Sequence, residues 1–343
     1  HPINPRQAVL IEDGLGYLLK AADFSSSHFD IEMKCFECIA LLLSQSPKDR
    51  ICAERFTSSL SAPDTLLYIL EKLNLYEMYG RICKRPKNEY HIFLVTGGGF
   101  LVKLIAAKSD NNVLYRMYKQ GFAKVFHDML CADTFADHPK AIASLCGGFT
   151  PFARLETEQI SEEVCNNFSE NQGISLVLKA AARYSDDRCL AVETMNLVAA
   201  IGQNEKRMRM TIEKRGGVHA SLSILQNHEN DLDILYPTMR VVLMLVSHNP
   251  KLHNKFVAGN FIQHFNQILK NFGRSSLRFY ILSCKLAELF SLHVSPRKIM
   301  QDLRFQDTFM EHFRQFTENP EDPEYILACK HTKLTVSQIK SRV

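Results

Sequence analysis

Apolar residues along the chain fall into runs of helical length, and a short polar turn ends several of them. The turn consists of Ser or Asn, then Pro or Glu, then a basic residue, and it occurs at Ser46-Pro47-Lys48, Asn204-Glu205-Lys206, Asn249-Pro250-Lys251 and Ser295-Pro296-Arg297. The last three turns begin at 204, 249 and 295, so their spacings are 45 and 46 residues. A fixed period of this length is typical of a helical repeat array.

Glycines add a second periodic signal. Each opens or precedes an amphipathic stretch, and they lie at Gly121, Gly173, Gly217 and Gly259. Because glycine has no Cβ, it permits a sharp chain reversal between helices. The pattern predicts a short first helix, a glycine turn and two longer helices in each unit. It is clearest over 212–259, where we predict a second helix over Val218–Gln226 and a third over Tyr236–His248.

This order of elements resembles the armadillo repeat. The resemblance implies an all-α fold, a right-handed α-solenoid of about seven armadillo-like repeats that stack on one another. We expect the repeats to occupy residues 1–330, with boundaries near 46, 111, 152, 204, 249 and 295. Residues 331–343 are expected to form a C-terminal cap or a linker. A non-repetitive helical domain with chance glycines is the alternative.

One predicted unit is longer than the others, since its boundaries at 46 and 111 are 65 residues apart. We predict an inserted basic loop at about 76–90, and its candidate partner-binding residues are Lys84, Arg85 and Lys87. Loops on a rigid scaffold often carry function. The same residues also resemble a short nuclear-targeting signal.

The resemblance implies a second candidate surface along the third helices, where peptide-binding armadillo proteins carry a ladder of asparagines. The ladder positions, counted back five residues from each turn, contain no asparagine. They are Leu41, Ala106, Ala199, Met244 and Phe290. Asn196 fits the ladder only if its helix is shifted by one turn. Met244 and Arg240 are assigned to the groove, where a helix or an extended segment would bind. The alternative is that the counted residues belong to the core.

A basic run at 206–210 contains two further candidates, Arg207 and Arg209. Such a run is either a solvated helix face or a contact for an acidic partner. It contains no aromatic residue for base stacking, so nucleic acid is not the expected partner.

Motifs for catalysis, metal and nucleotides are incomplete. Gly97-Gly98-Gly99 has Val102 where a dinucleotide fingerprint needs glycine, and we expect these glycines to serve close helix approach instead. Cys35 and Cys38 have no second ligand pair at the spacing that zinc requires. Cys146 lacks the context of a known nucleophile. We therefore expect no enzyme, no cofactor and no metal.

Composition sets the compartment and the class of protein. The 343 residues carry a net charge of +4. The ten cysteines are scattered along the chain, which indicates a reducing compartment. We expect the cytoplasm, with the nucleus as a second option. The chain begins at His1 without an initiator Met, which indicates a piece of a longer protein. No run is apolar enough for a membrane span.

The function expected from these patterns is a non-catalytic scaffold that binds a protein partner along the concave surface. Three alternatives stay open. The chain regulates a folded partner such as a small or heterotrimeric G protein, serves as an accessory domain of a larger enzyme, or self-associates through a terminal repeat.

Overall fold

A computed structural model describes the chain at Gly99, at Lys103 and over 111–119, 121–131, 135–155, 164–166, 168, 172–204, 206–316 and 321–341. These residues form helices and turns and contain no strand. The helices are α1 (Asn111–Lys119), α2 (Phe122–Cys131), α3 (Pro139–Ala153), α4 (Gly173–Arg183), α5 (Arg188–Asn204), α6 (Lys206–Lys214), α7 (Gly217–Asn227), α8 (Leu232–His248), α9 (Leu252–Ala258), α10 (Phe261–Phe272), α11 (Leu277–Ser291), α12 (Val294–Asp302), α13 (Phe305–Phe313) and α14 (Pro323–Lys340).

A unit of three helices recurs along the described residues. It occurs as α1–α3, α6–α8, α9–α11 and α12–α14, and α4 and α5 correspond to the second and third helices of one more. Within each complete unit the third helix is the longest. The chain divides into two compact units between Gly173 and Ile174. The predicted order of a short helix followed by two longer ones is confirmed over 206–291.

A short polar residue caps the start of four of the third helices, α5, α8, α11 and α14, and these caps lie at nearly constant intervals. Asp187 accepts the amide of Leu190 at 2.9 Å before α5, and Ser276 accepts the amide of Phe279 at 3.1 Å before α11. Asp231 and Asp322 cap α8 and α14 in the same way. These caps lie at 187, 231, 276 and 322, which are 44, 45 and 46 residues apart. Such caps satisfy amides that a helix leaves unbonded at its start.

A left-handed residue marks the junction between first and second helices. Its φ is 90° at Gly121, 65° at Gln172, 98° at Gly216, 60° at Asn260 and 55° at Arg304. The last four positions are 44 residues apart in every case, whereas Gly121 lies 51 residues before Gln172. Only one of the last four is glycine, although this conformation is costly for other residues. Backbone geometry therefore repeats more strictly than the residue type does.

Most of the glycines that define the period are needed because a side chain would not fit there, rather than because the backbone reverses direction. A Cβ on Gly217 would lie 2.6 Å from Cγ2 of Ile212, and one on Gly173 would lie 2.4 Å from the Phe168 ring. A Cβ on Gly99 would lie 2.3 Å from the carbonyl oxygen of Ser144 in α3, so this glycine allows the close helix approach that was predicted.

Aromatic side chains pack in the core both within a unit and between successive units. The Phe261 ring stacks on Phe290 of the same unit with centroids 5.0 Å apart, and Phe265 meets Phe305 of the next unit at 5.3 Å. Both pairs are fully buried. Each such pair adds about 0.5–1.5 kcal/mol beyond its area burial.

One predicted helix begins earlier than expected. The helix expected over Tyr236–His248 begins at Leu232, because Asp231 provides its cap and Pro237 lies inside the helix. Residues 331–340, expected to belong to a C-terminal cap or linker, continue α14, which packs on α11 and α13. The predicted boundary at 111 coincides with the start of α1, whereas the boundary at 46 and the basic loop at about 76–90 lie outside the described residues.

Candidate functional site

The third helices α5, α8 and α11 each leave one narrow stripe uncovered. Between their first turn and their last residue, these helices are buried except at positions one or two helical turns apart, some of which are adjacent pairs. That spacing keeps the uncovered residues on one helix face. We call these positions the third-helix stripe, and they are Val192, Glu193, Asn196, Gln203, Tyr236, Arg240, Leu243, Met244, Ser247, Lys285, Glu288 and Leu289.

One row of the stripe is polar on all three helices. Asn196, Arg240 and Lys285 each lie nine residues after the cap of their own helix and are half-buried. Because α5 packs on α8 and α8 packs on α11, equal offsets place these residues in one row across the three helices. The row contains two sequence-predicted residues and adds Lys285, which the sequence analysis missed.

Contacts between α5 and α8 fix Arg240 and Met244 within the stripe. Arg240 donates from Nη2 to Oε1 of Gln203 at 2.8 Å. Met244 lies over Gly202, where a Cβ would come within 2.0 Å of its Sδ. Gly202 thus makes room for a partly exposed thioether, an adaptable apolar surface.

Other polar residues of the stripe differ in the hydrogen bonds that they form within the protein. Asn196 donates from Nδ2 to the carbonyl of Val192 at 3.0 Å. Lys285 has no hydrogen-bond or ion-pair partner among the described residues. Glu288, one turn further along α11, accepts from His331 at 2.7 Å and from Thr335 at 3.2 Å, both on α14.

The N-terminal ends of the third helices carry ion pairs that link successive helices. Arg188 donates to Asp231 at 2.6 Å and to Asp233 at 2.7 Å, and these hydrogen bonds raise the pKa of Arg188. Arg278 donates to Glu324 at 2.6 Å, which raises the pKa of Arg278. These charges have partners within the protein, so they contribute little net charge to a ligand site.

The predicted basic residues of α6 differ in their surroundings. Arg209 donates from Nε to the carbonyl of Gly202 at 2.7 Å and from Nη2 to that of Gln203 at 2.9 Å. It therefore satisfies carbonyls at the end of α5 that would otherwise lack donors. Arg207 is exposed on the same helix. Lys84, Arg85 and Lys87 lie outside the described residues.

No metal or membrane site emerges from the described part of the chain. It contains no group of three or more His, Cys, Asp or Glu residues that could hold an ion. No helix in this part of the chain is long and apolar enough to cross a membrane. Cys146 is fully buried in α3, and Cys35 and Cys38 lie outside the described residues.

Comparison with known proteins identifies the fold through structure rather than sequence. No protein-family model matches the chain, and no curated protein matches it. A designed armadillo repeat protein superposes with a TM-score of 0.53 at 10% identity, covering 78% of this chain and all of that one. A second designed armadillo repeat protein, solved in complex with the peptide (KR)4, gives 0.51 at 10% identity, with 78% and 99% covered. An engineered protein from structural genomics gives 0.57 at 13% identity, with 94% and 73% covered. The chain therefore has an all-α, armadillo-like solenoid fold.

Proposed function

We propose that this chain is a non-catalytic scaffold that binds an extended segment of a partner protein along the third-helix stripe. The observation that carries the proposal is the alignment of Asn196, Arg240 and Lys285 in one row on helices that are otherwise buried. A row of equivalent positions on packed helices offers a repeated set of contacts to an extended chain. Supporting this, one designed armadillo repeat protein of similar fold was solved with a bound peptide.

The row also has the chemistry that an extended segment requires. A partner backbone presents unpaired N–H and C=O groups, which the polar row can bond, and apolar side chains that fit between Tyr236 and Met244. Arg240 is already held by Gln203, so less side-chain entropy is lost on binding. In an armadillo-like fold we expect this stripe to form the concave groove.

The test is a selection of random twelve-residue peptides displayed on phage, followed by affinity measurements on the selected peptides. The variant Arg240→Ala/Met244→Ala should weaken binding about tenfold or more, because it removes a central donor and an apolar contact. The control Lys270→Ala/Gln267→Ala changes two exposed residues of α10, away from the stripe. Equal losses in both variants, or none in either, would place the binding surface elsewhere.

The compartment we propose is the cytoplasm, with the nucleus as a second option. Five cysteines of the described part of the chain carry thiols rather than disulfides: Cys146, Cys165, Cys189, Cys284 and Cys329. Cysteines kept as thiols are typical of a reducing compartment. Fluorescence microscopy of the tagged full-length protein tests this assignment, and secretion or a luminal signal contradicts it.

A further inference from the structure

We infer that the segment bound along the stripe alternates acidic and apolar residues, with carboxylates on Arg240 and Lys285. This inference rests on the proposed function and specifies its ligand. Both residues lie at the ninth position of adjacent helices, and both are half-buried. Cations in partly desolvated positions select carboxylates more strongly than cations in free solution do.

Lys285 carries the first part of the argument. It forms no hydrogen bond or ion pair with any described residue, so its charge is available to a ligand. The nearest acidic position on its own helix, Glu288, is held by His331 and Thr335 of α14. Glu288 keeps its negative charge but is hydrogen-bonded to α14, so Lys285 is the charged side chain of this row that has no partner among the described residues.

Arg240 supplies the second cation. It donates to the neutral amide oxygen of Gln203, so the guanidinium keeps its full charge and further N–H donors. A carboxylate would accept two parallel hydrogen bonds from such a group. On α5 the corresponding residue is Asn196, and Glu193 lies one turn before it, which confines the acidic preference to α8 and α11.

Apolar residues flank both cations. Tyr236 and Met244 lie one turn on either side of Arg240, and Leu289 lies one turn after Lys285. Packed helices are about 8–10 Å apart. An extended chain advances about 3.3 Å per residue, so the two carboxylates should be two or three residues apart. The residues between them then meet the apolar flanks.

Other charged residues of this region do not change the prediction. Arg188 is bonded to Asp231 and Asp233, and Arg278 to Glu324. Arg209 caps the end of α5. Such charges at helix ends are accounted for by the helix dipole and by capping.

The experiment measures fluorescence anisotropy of the chain with three labelled twelve-residue peptides. The first peptide alternates Asp with Leu or Val. The second carries Lys at each Asp position, and the third carries Ser. The acidic peptide should bind at least about tenfold more tightly than the other two at low salt. Tighter binding of the Lys or Ser peptide overturns the inference and leaves the proposed function standing. Failure of all three, together with failure of the random selection, overturns both.

Variants test whether Arg240 and Lys285 supply the charges that bind the acidic peptide. Arg240→Gln/Lys285→Gln should weaken acidic-peptide binding about tenfold, and Arg240→Glu/Lys285→Glu should reverse the preference toward the Lys peptide. The control Lys270→Gln/Lys298→Gln removes the same charge at exposed positions of α10 and α12. An equal loss in this control shows attraction by net charge alone and overturns the inference. Arg240→Lys/Lys285→Arg keeps both charges and should retain binding, which separates charge from misfolding.

Discussion

At the scale of single residues, the turn between the first and second helices has two requirements that a single glycine often fulfils. Here they fall on neighbouring positions. One is conformation, since Gly216, Asn260 and Arg304 have left-handed backbones. The other is space, since Gly217 and Gly259 leave no room for a Cβ beside Ile212 and Leu222. Substitutions at the two kinds of position should therefore have different effects.

Replacing Arg304 with glycine should stabilise the protein. Its φ of 55° costs a residue with a side chain about 1 kcal/mol, which exceeds the entropic cost of glycine. We expect Arg304→Gly to raise the free energy of unfolding in urea by up to about 1 kcal/mol. Arg314→Gly is the control, because Arg314 is also exposed and has an ordinary φ of −62°, so this change should destabilise. A loss of stability in both variants would contradict the account.

A buried histidine should make stability depend on pH. Burial lowers the pKa of His312, and Arg274 lowers it further against an opposing effect of Glu311. The unfolded chain then takes up a proton more readily, so the free energy of unfolding should fall as pH drops below about 6.5. His312→Phe should reduce the difference between pH 7.5 and pH 5, whereas His219→Phe, at an exposed position, should not. His253, whose pKa burial also lowers, accounts for part of what remains.

At the scale of elements, side chains that flank α5 in the sequence satisfy backbone groups at both of its ends. Arg209 of α6 donates to two carbonyls at the end of α5, and Asp187 caps the start of the same helix. The basic run at 206–210 therefore contains at least one residue whose contacts are structural. A basic cluster in a sequence does not by itself show whether its residues stabilise the fold or bind a ligand.

Removing this cap should cost stability. Arg209→Met keeps most of the apolar stem but loses both hydrogen bonds, and we expect a loss of about 1–2 kcal/mol. Lys206→Met removes the same charge at an exposed position of α6 and should change stability by no more than about 0.5 kcal/mol. Urea denaturation followed by circular dichroism measures both. Equal losses would show that the charge of α6, rather than the cap, stabilises this region.

Sequence periodicity was sufficient to predict the helical repeat but not the register of the candidate site. The turns at 204, 249 and 295 lie 17, 18 and 19 residues after the caps at 187, 231 and 276. A fixed count back from the turns therefore drifts by one residue per unit, or about 100° around a helix. It reaches buried Ala199, half-buried Met244 and buried Phe290. Counting forward from the caps gives Asn196, Arg240 and Lys285, but locating the caps required the structure.

At the scale of the whole molecule, the described residues form two compact units, and the third-helix stripe belongs to the second, from Ile174 onward. This unit contains α5, α8 and α11, whose packing places the stripe residues in rows. The proposed function needs this regular packing, since a shift of one residue would turn the polar row away from a ligand. Binding and repeat geometry are therefore coupled.

The most direct test of the proposed surface is methyl NMR of the chain with ¹³C-labelled methionines, titrated with a peptide from the random selection. Met244 is partly exposed within the stripe, and Met210 is exposed on α6 outside it. Met244→Leu and Met210→Leu assign the two signals. The account predicts a saturable shift of the Met244 methyl resonance while that of Met210 stays in place. A shift of Met210 with no change at Met244 would contradict it.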